Sequence, residues 1–301
     1  MQVAVMGAGA VGCFYGARLA LAGHPVSLIG RAAHMDVVQR QGLRFDSGGR
    51  TRQVPMTATT DPAAARGADL VLLCVKATDT EAAAAALQPH LAPGTPVLSL
   101  QNGIDNVARL LALPGWSDLR PEAAVVYAAV EMAAPGHLLH RGRGDLVVGA
   151  APGARHWIGD LRAASVPVQE VLSIDSALWA KLVVNCAYNA LSAIARLPYG
   201  TLMQHAPAAA LVAAVVAECR AVAAAAGVAL PEDLQQMVQR IPDSMPQQSS
   251  STAQDLRRGR RSEIDHLNGA IARIGAEYGV AVPVNRTLHA LVRLLEDAAA
   301  A

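Results

Sequence analysis

The segment VAVMGAGAVG, residues 3–12, constrains this chain more than any other: a short apolar run stops at a glycine turn that opens onto a helical pattern. Gly7, Gly9 and Gly12 satisfy G-x-G-x-x-G. In a strand–turn–helix unit the first glycine permits the tight bend. The second lets backbone approach a pyrophosphate, and the third lets the helix pack on the strand. The first N–H groups of the helix then face the anion. The run Gly7, Ala8, Gly9, Ala10, Val11, Gly12 is therefore read as a nucleotide cradle, against the plainer alternative of a structural turn.

Such a cradle needs a parallel sheet behind it, and the rhythm of the first half supplies one. QVAVM (2–6), PVSLIG (25–30), DLVLLCV (69–75) and PVLSL (96–100) read as strands, with helices from about Ala10 to Leu21 and at TEAAAAALQPHL (80–91). Strands alternating with helices imply parallel pairing through crossovers. Thr78 and Glu81 have capping-box spacing, which predicts the entry of the second helix. Residues 121–149 read instead as strands separated by a turn at Pro135-Gly136, an antiparallel extension of the sheet.

From about Ser173 the pattern turns helical, with windows at 173–196, 207–227, 252–276 and 284–298, and SMPQQSSST (244–252) reads as an exposed polar connector. The expected fold class is α/β: an N-terminal Rossmann-type dinucleotide-binding domain over 1–170, then an all-helical C-terminal domain over 171–301.

The 301 residues suffice for about two domains. Lys plus Arg (25) nearly balances Asp plus Glu (24), so no global field draws the chain to nucleic acid or to an acidic membrane. The expected partner is a small molecule. Cys13, Cys74, Cys186 and Cys219 are scattered without C-x-x-C spacing, which argues against metal and disulfides and for buried thiols in a reducing cytoplasm. No basic region precedes the first apolar run, so no signal peptide is expected. The alanine-rich stretch 206–230 carries Glu218 and Arg220 and is read as a core helix, not a membrane span. A homodimer is compatible with all of this.

The end of the second strand bears on cofactor choice, because an acidic residue there would bind the ribose 2′-OH of NAD. Here Gly30 is followed by Arg31, which suits a 2′-phosphate and favours NADP(H); a solvated loop arginine is the alternative.

Within SALWAKLVVNCAYNALSAIARL (176–197), Lys181, Asn185 and Asn189 stand at i, i+4 and i+8 on an otherwise apolar helix. Four residues advance a helix by about 400°, so the three form one slanting row. Buried polar groups need partners, so the row is expected to line a cleft, where a partly desolvated lysine can act as a proton donor. A solvated helix face is the alternative. The arginines of SSSTAQDLRRGRRSEIDHLNG (249–269) lie among acids without aromatics and read as a solvated face or turn, and spacing alone makes Glu263 an ordinary helix residue.

Taken together, these pieces resemble the ketopantoate reductase (2-dehydropantoate 2-reductase) family over nearly the whole chain. The matching elements are GAGAVG at 7–12, Arg31, VK at 75–76, QNG at 101–103, K-x-x-x-N-x-x-x-N at 181–189, and SS-x-x-QD followed by EID at 263–265. The resemblance implies that NADPH delivers hydride to the ketone of a 2-keto acid, with 2-dehydropantoate giving (R)-pantoate for pantothenate synthesis. It implies Lys181 as general acid and Glu263 as a residue that binds substrate and organises the site. Asn185 and Asn189 would contact substrate, Ser251 its carboxylate, and Lys76 and Asn102 would lie by the nicotinamide ribose and the cleft. Departures from the pattern are Thr252 after the serine pair, Gln248 before it, and Asp79 after Lys76. They bear on substrate identity more than on reaction type. A related 2- or 3-hydroxyacid dehydrogenase, or a non-catalytic NADP(H)-binding protein, are the alternatives.

Overall fold

Six strands run parallel. In the computed structural model, which describes residues 1–150 and 155–300, these are β1 (Val3–Met6), β2 (Val26–Ile29), β5 (Thr57–Thr59), β6 (Leu70–Leu73), β7 (Pro96–Ser99) and the start of β8 (Arg120–Ala134). Their spatial order is β5-β2-β1-β6-β7-β8. Numbered along the chain as parallel strands, that is 3-2-1-4-5-6, the doubly wound dinucleotide-binding order. The expected fold class is the one observed.

The strand sequences show why both sheet faces are covered. Val3, Val5, Leu70 and Leu72 point into one buried cluster, with Phe14 and Tyr15 of α1 (Ala10–Leu21). Their neighbours Ala4, Val71 and Leu73 point into another, with Ala83, Ala84 and Leu87 of α3 (Thr80–Leu87). A strand buried on both faces reads as a continuous apolar run, which is what makes VAV and LVLL conspicuous.

Between β2 and β5 lie α2 (Ala32–Gln41), β3 (Leu43–Ser47) and β4 (Arg50–Val54), in a region where the sequence pattern predicts no element. β3 and β4 form an antiparallel hairpin that joins the far side of the sheet by pairing with β9 (His137–Gly149). The predicted antiparallel extension is present: β8 and β9 pair across the Pro135-Gly136 turn, and Gly136 has the left-handed φ of +73° that a glycine tolerates. After α4 (Asn106–Leu111), which precedes β8, and α5 (His156–Ala163), β10 (Val168–Val171) adds to β9.

The capping-box expectation fails. α3 starts at Thr80, after a 3₁₀ turn over Ala77–Asp79, and no side chain caps it. Glu81 is instead engaged by Arg109 of α4, whose Nε and Nη2 donate to its two carboxylate oxygens at 2.7 Å each. A bidentate guanidinium–carboxylate pair outcompetes a single reach back to a backbone N–H.

The chain divides into two units, one of residues 1–101 and 105–174, the other of 102–104 and 175–301. The second is helical: α6 (Ile174–Ala195), α7 (Tyr199–Leu202), α8 (Ala206–Ala225), α9 (Leu234–Ser244), α10 (Ser251–Arg257), α11 (Asn268–Glu277) and α12 (Pro283–Ala300). α6 and α8 are long and apolar enough to cross a membrane by length and composition. Yet 72% of the apolar window of α6 is buried, and Val212, Val215 and Val222 of α8 enter the same helical core. The predicted helix over 252–276 is two helices, because α10 stops before Gly259, at φ +60°, and the arginine-rich segment is an exposed turn.

Candidate functional site

The parallel order places four strand ends side by side, and each hands over to a segment singled out in the sequence. β1 leads into Gly7–Gly12, β2 into Gly30 and Arg31, β6 into Lys76, and β7 into Gln101 and Asn102. Neighbouring parallel strands present their carboxyl ends along one edge, where open α/β sheets bind ligands.

The glycine loop has the geometry that edge requires. Gly7 sits at φ +102°, and a Cβ there would lie 2.4 Å from the Val75 backbone nitrogen. A Cβ on Gly12 would lie 2.3 Å from the Gly7 carbonyl oxygen, so this helix meets its strand only through a glycine. A Cβ at Gly9 would meet nothing within 4 Å, which leaves the second glycine open to a ligand. No side chain caps α1 and no acidic residue lies in its first turn, so its leading N–H groups suit a phosphate. Gly7 and Ala8 donate their N–H groups to the Ile29 carbonyl (3.0 and 3.2 Å), and a Cβ on Gly30 would lie 2.9 Å from that of Ala8. The loop is thus strapped to the end of β2, where exposed Arg31 starts α2.

Lys76 is half-buried at the start of its 3₁₀ turn. Buried Gln101, quoted in the QNG motif without a role, holds this corner: its Nε2 donates to Thr80 Oγ1 (2.8 Å) and its Oε1 accepts from Ser99 Oγ (2.9 Å). Gly103 follows at φ +100°.

In the helical unit, Lys181, Asn185 and Asn189 lie on α6 as predicted, the first two half-buried and Asn189 buried. Asn189 Nδ2 stands 3.5 Å from Ser251 Oγ, a long contact at the N-terminus of α10. Ser250 fixes that meeting point. Its hydroxyl donates to the Asn189 carbonyl and accepts from Ala253 N (both 3.0 Å), and its N–H donates to Ser192 Oγ (3.2 Å). The connector 244–252 was expected to be exposed, but Ser250 and Thr252 are buried because the cap serves two helices at once.

Asn102, clustered with the helical unit, donates from Nδ2 to Glu263 Oε2 at 2.9 Å. Glu263 is therefore not a helix-surface residue. It is half-buried in the 3₁₀ turn region that spacing alone misread. Beside it, Ser262 donates both its N–H (2.7 Å) and its hydroxyl (2.6 Å) to Glu296 Oε1 of α12, and Ile264 N donates to Ser262 Oγ (3.3 Å). Of the predicted site residues, the structure joins Asn102 to Glu263 and Asn189 to Ser251.

The family model for ketopantoate reductase PanE/ApbA matches residues 3–153, and that for its C-terminal part matches 173–296. The chain belongs to the ketopantoate reductase family. A 2-dehydropantoate 2-reductase of Halobacterium salinarum is 34% identical, covering 98% of this chain and 99% of its own. The solved structure of a PanE/ApbA family ketopantoate reductase from Ralstonia eutropha JMP134 is 52% identical with a TM-score of 0.95, covering 100% of both chains. D-mandelate dehydrogenase, solved with NADH and anilino(oxo)acetate, is 26% identical with a TM-score of 0.89 over 99% of both.

In this ketopantoate reductase family member, Glu296 is a structural residue the sequence did not single out. It lies in the last helix, distant in sequence from the loop it holds. Its side chain is 1% exposed and also faces Arg293 Nη1 at 3.2 Å. Glu296→Ala leaves the Ser262 N–H without its acceptor and is expected to lower unfolding stability by about 1–3 kcal/mol. Urea denaturation checks this; a midpoint equal to the parent's would contradict it.

Proposed function

We propose that the protein reduces 2-dehydropantoate to (R)-pantoate with NADPH. Family membership makes it an oxidoreductase acting on a small keto acid with a nicotinamide cofactor. The observation that carries the reading is the parallel-sheet edge on which glycine cradle, Arg31 and Lys76 follow adjacent strands. The preference for NADP(H) rests on Arg31, whose planar fork suits a phosphate dianion.

The residues divide as follows. Gly7, Ala8, Gly9, Ala10, Val11 and Gly12 would hold the pyrophosphate against the first turn of α1, with Arg31 on the 2′-phosphate and Lys76 and Asn102 toward the nicotinamide ribose. When bound, the dihydronicotinamide supplies a hydride to the ketone carbon. The Lys181 ammonium would donate its proton to the ketone oxygen as negative charge develops there. A donor aimed at that oxygen stabilises the transition state more than the ground state. Asn185 and Asn189 would orient the substrate, and Ser251 would bind its carboxylate. Glu263, anchored to Asn102, would fix that side chain and help hold the substrate. We place the enzyme as soluble in the cytoplasm.

The test is a substrate panel. NADPH oxidation is followed with 2-dehydropantoate, other branched 2-keto acids and phenylglyoxylate, and repeated with NADH. The highest kcat/KM is expected for 2-dehydropantoate with NADPH. A higher value for another keto acid would reassign the substrate, and no oxidation across the panel would remove the enzyme reading.

A further inference from the structure

The β3–β4 hairpin turns through Gly48 and Gly49, both left-handed at φ +56° and +74°. Its register sets Phe45 opposite Arg52 and Ser47 opposite Arg50. Directly opposed residues share a face. Phe45, Ser47, Arg50 and Arg52 therefore line one side of the hairpin, and with Arg18 of α1 they enclose a cavity of about 60 Å³.

Three guanidinium groups converge there without a counter-charge. Arg18 lies 5.4 Å from the Phe14 ring centroid and 5.8 Å from that of Phe45, which hold it in place. Its Nε is buried with no hydrogen-bond partner. Burial, and secondarily the charge of Arg52, draw its pKa down. Among the described residues, Arg18, Arg50 and Arg52 make no ion pair. The nearby acid, Asp46, alternates to the other face of β3, where His137 Nε2 lies 2.7 Å away and Arg44 3.4 Å.

We propose that this cavity binds a compact tetrahedral oxyanion: inorganic phosphate, or the terminal phosphate of a small phosphomonoester. Guanidinium forks match phosphate oxygens in geometry, and a phosphate dianion offsets the repulsion among three like charges. The cavity has room for one such group. It is separate from the glycine cradle, since Arg18 lies about 12 Å along α1 from Ala10 at 1.5 Å per residue.

The test is calorimetric titration of the full chain, at saturating NADPH, with inorganic phosphate and separately with glycerol 3-phosphate. Saturable binding to one site is expected. The exposed pair Arg50→Ala/Arg52→Ala should weaken it at least tenfold, while Arg31→Ala should change it less than twofold. Tighter binding of the ester identifies a phosphomonoester as the occupant; equal or tighter binding of phosphate identifies the free anion. No saturable binding of either, unchanged affinity in the double variant, or loss only in Arg31→Ala would each overturn the proposal.

Discussion

Lys181→Ala is expected to lower kcat by about 10²-fold or more while NADPH binds within about twofold of the parent affinity. That is the loss associated with removing a positioned general acid. The lysine is half-buried on a helix whose flanking residues, Ala180 and Leu182, are buried. Its surroundings are therefore partly shielded from bulk water. Truncation to alanine adds no clash. The measurement is steady-state turnover beside a fluorescence titration of NADPH. A kcat within threefold of the parent would take Lys181 out of the chemistry. A parallel collapse of NADPH affinity would assign it to cofactor binding instead.

The second large effect tests the proposed contact between Arg31 and a 2′-phosphate. Arg31→Asp should weaken NADPH by about 10²-fold and NADH by less than about threefold. A charge-assisted contact contributes about 1.5–3 kcal/mol, and the substitution adds repulsion of a dianion to that loss. Arg31 is exposed and its backbone only begins α2, so the change leaves the fold intact. Equal losses for both nicotinamides would show that the guanidinium does not meet a 2′-phosphate.

Four strands of the parallel half, β1, β2, β6 and β7, were legible as apolar runs, whereas β5, only three residues long with Thr57 exposed, was not. β4 was not, because Arg50, Thr51, Arg52 and Gln53 are all exposed and carry no alternation. Thr78 and Glu81 misled for a different reason. Their spacing is local, whereas the partner that captures Glu81 sits 28 residues away on another helix. The polar row on α6 was legible because three polar residues at helical spacing stand out against alanine and leucine. The cap formed by Ser250 and the support given by Glu296 were not, since both depend on contacts between segments far apart in the chain, 61 and 34 residues respectively. Glu263 needed its family context, because no periodicity announces its hydrogen bond to Asn102.

Cys13 and Cys186 are fully buried, and burial pushes the Cys13 thiol up to about 12, in keeping with inert packing. Cys74 is half-buried as a residue, yet burial pushes its thiol up as well, as expected of a buried thiol.

The assignment of residues 102–104 to the helical unit means that the polypeptide changes unit three times: after 101, after 104 and after 174. Ile104 packs against the helical core, and Asn102 bonds Glu263. A fragment starting at residue 175 would therefore lack part of its own interior and the partner of one of its acids. Neither half of this protein is a cassette that a single recombination event could trade with a relative. An exchange between homologues that kept each unit whole would have to carry the loop after β7 along with the helices.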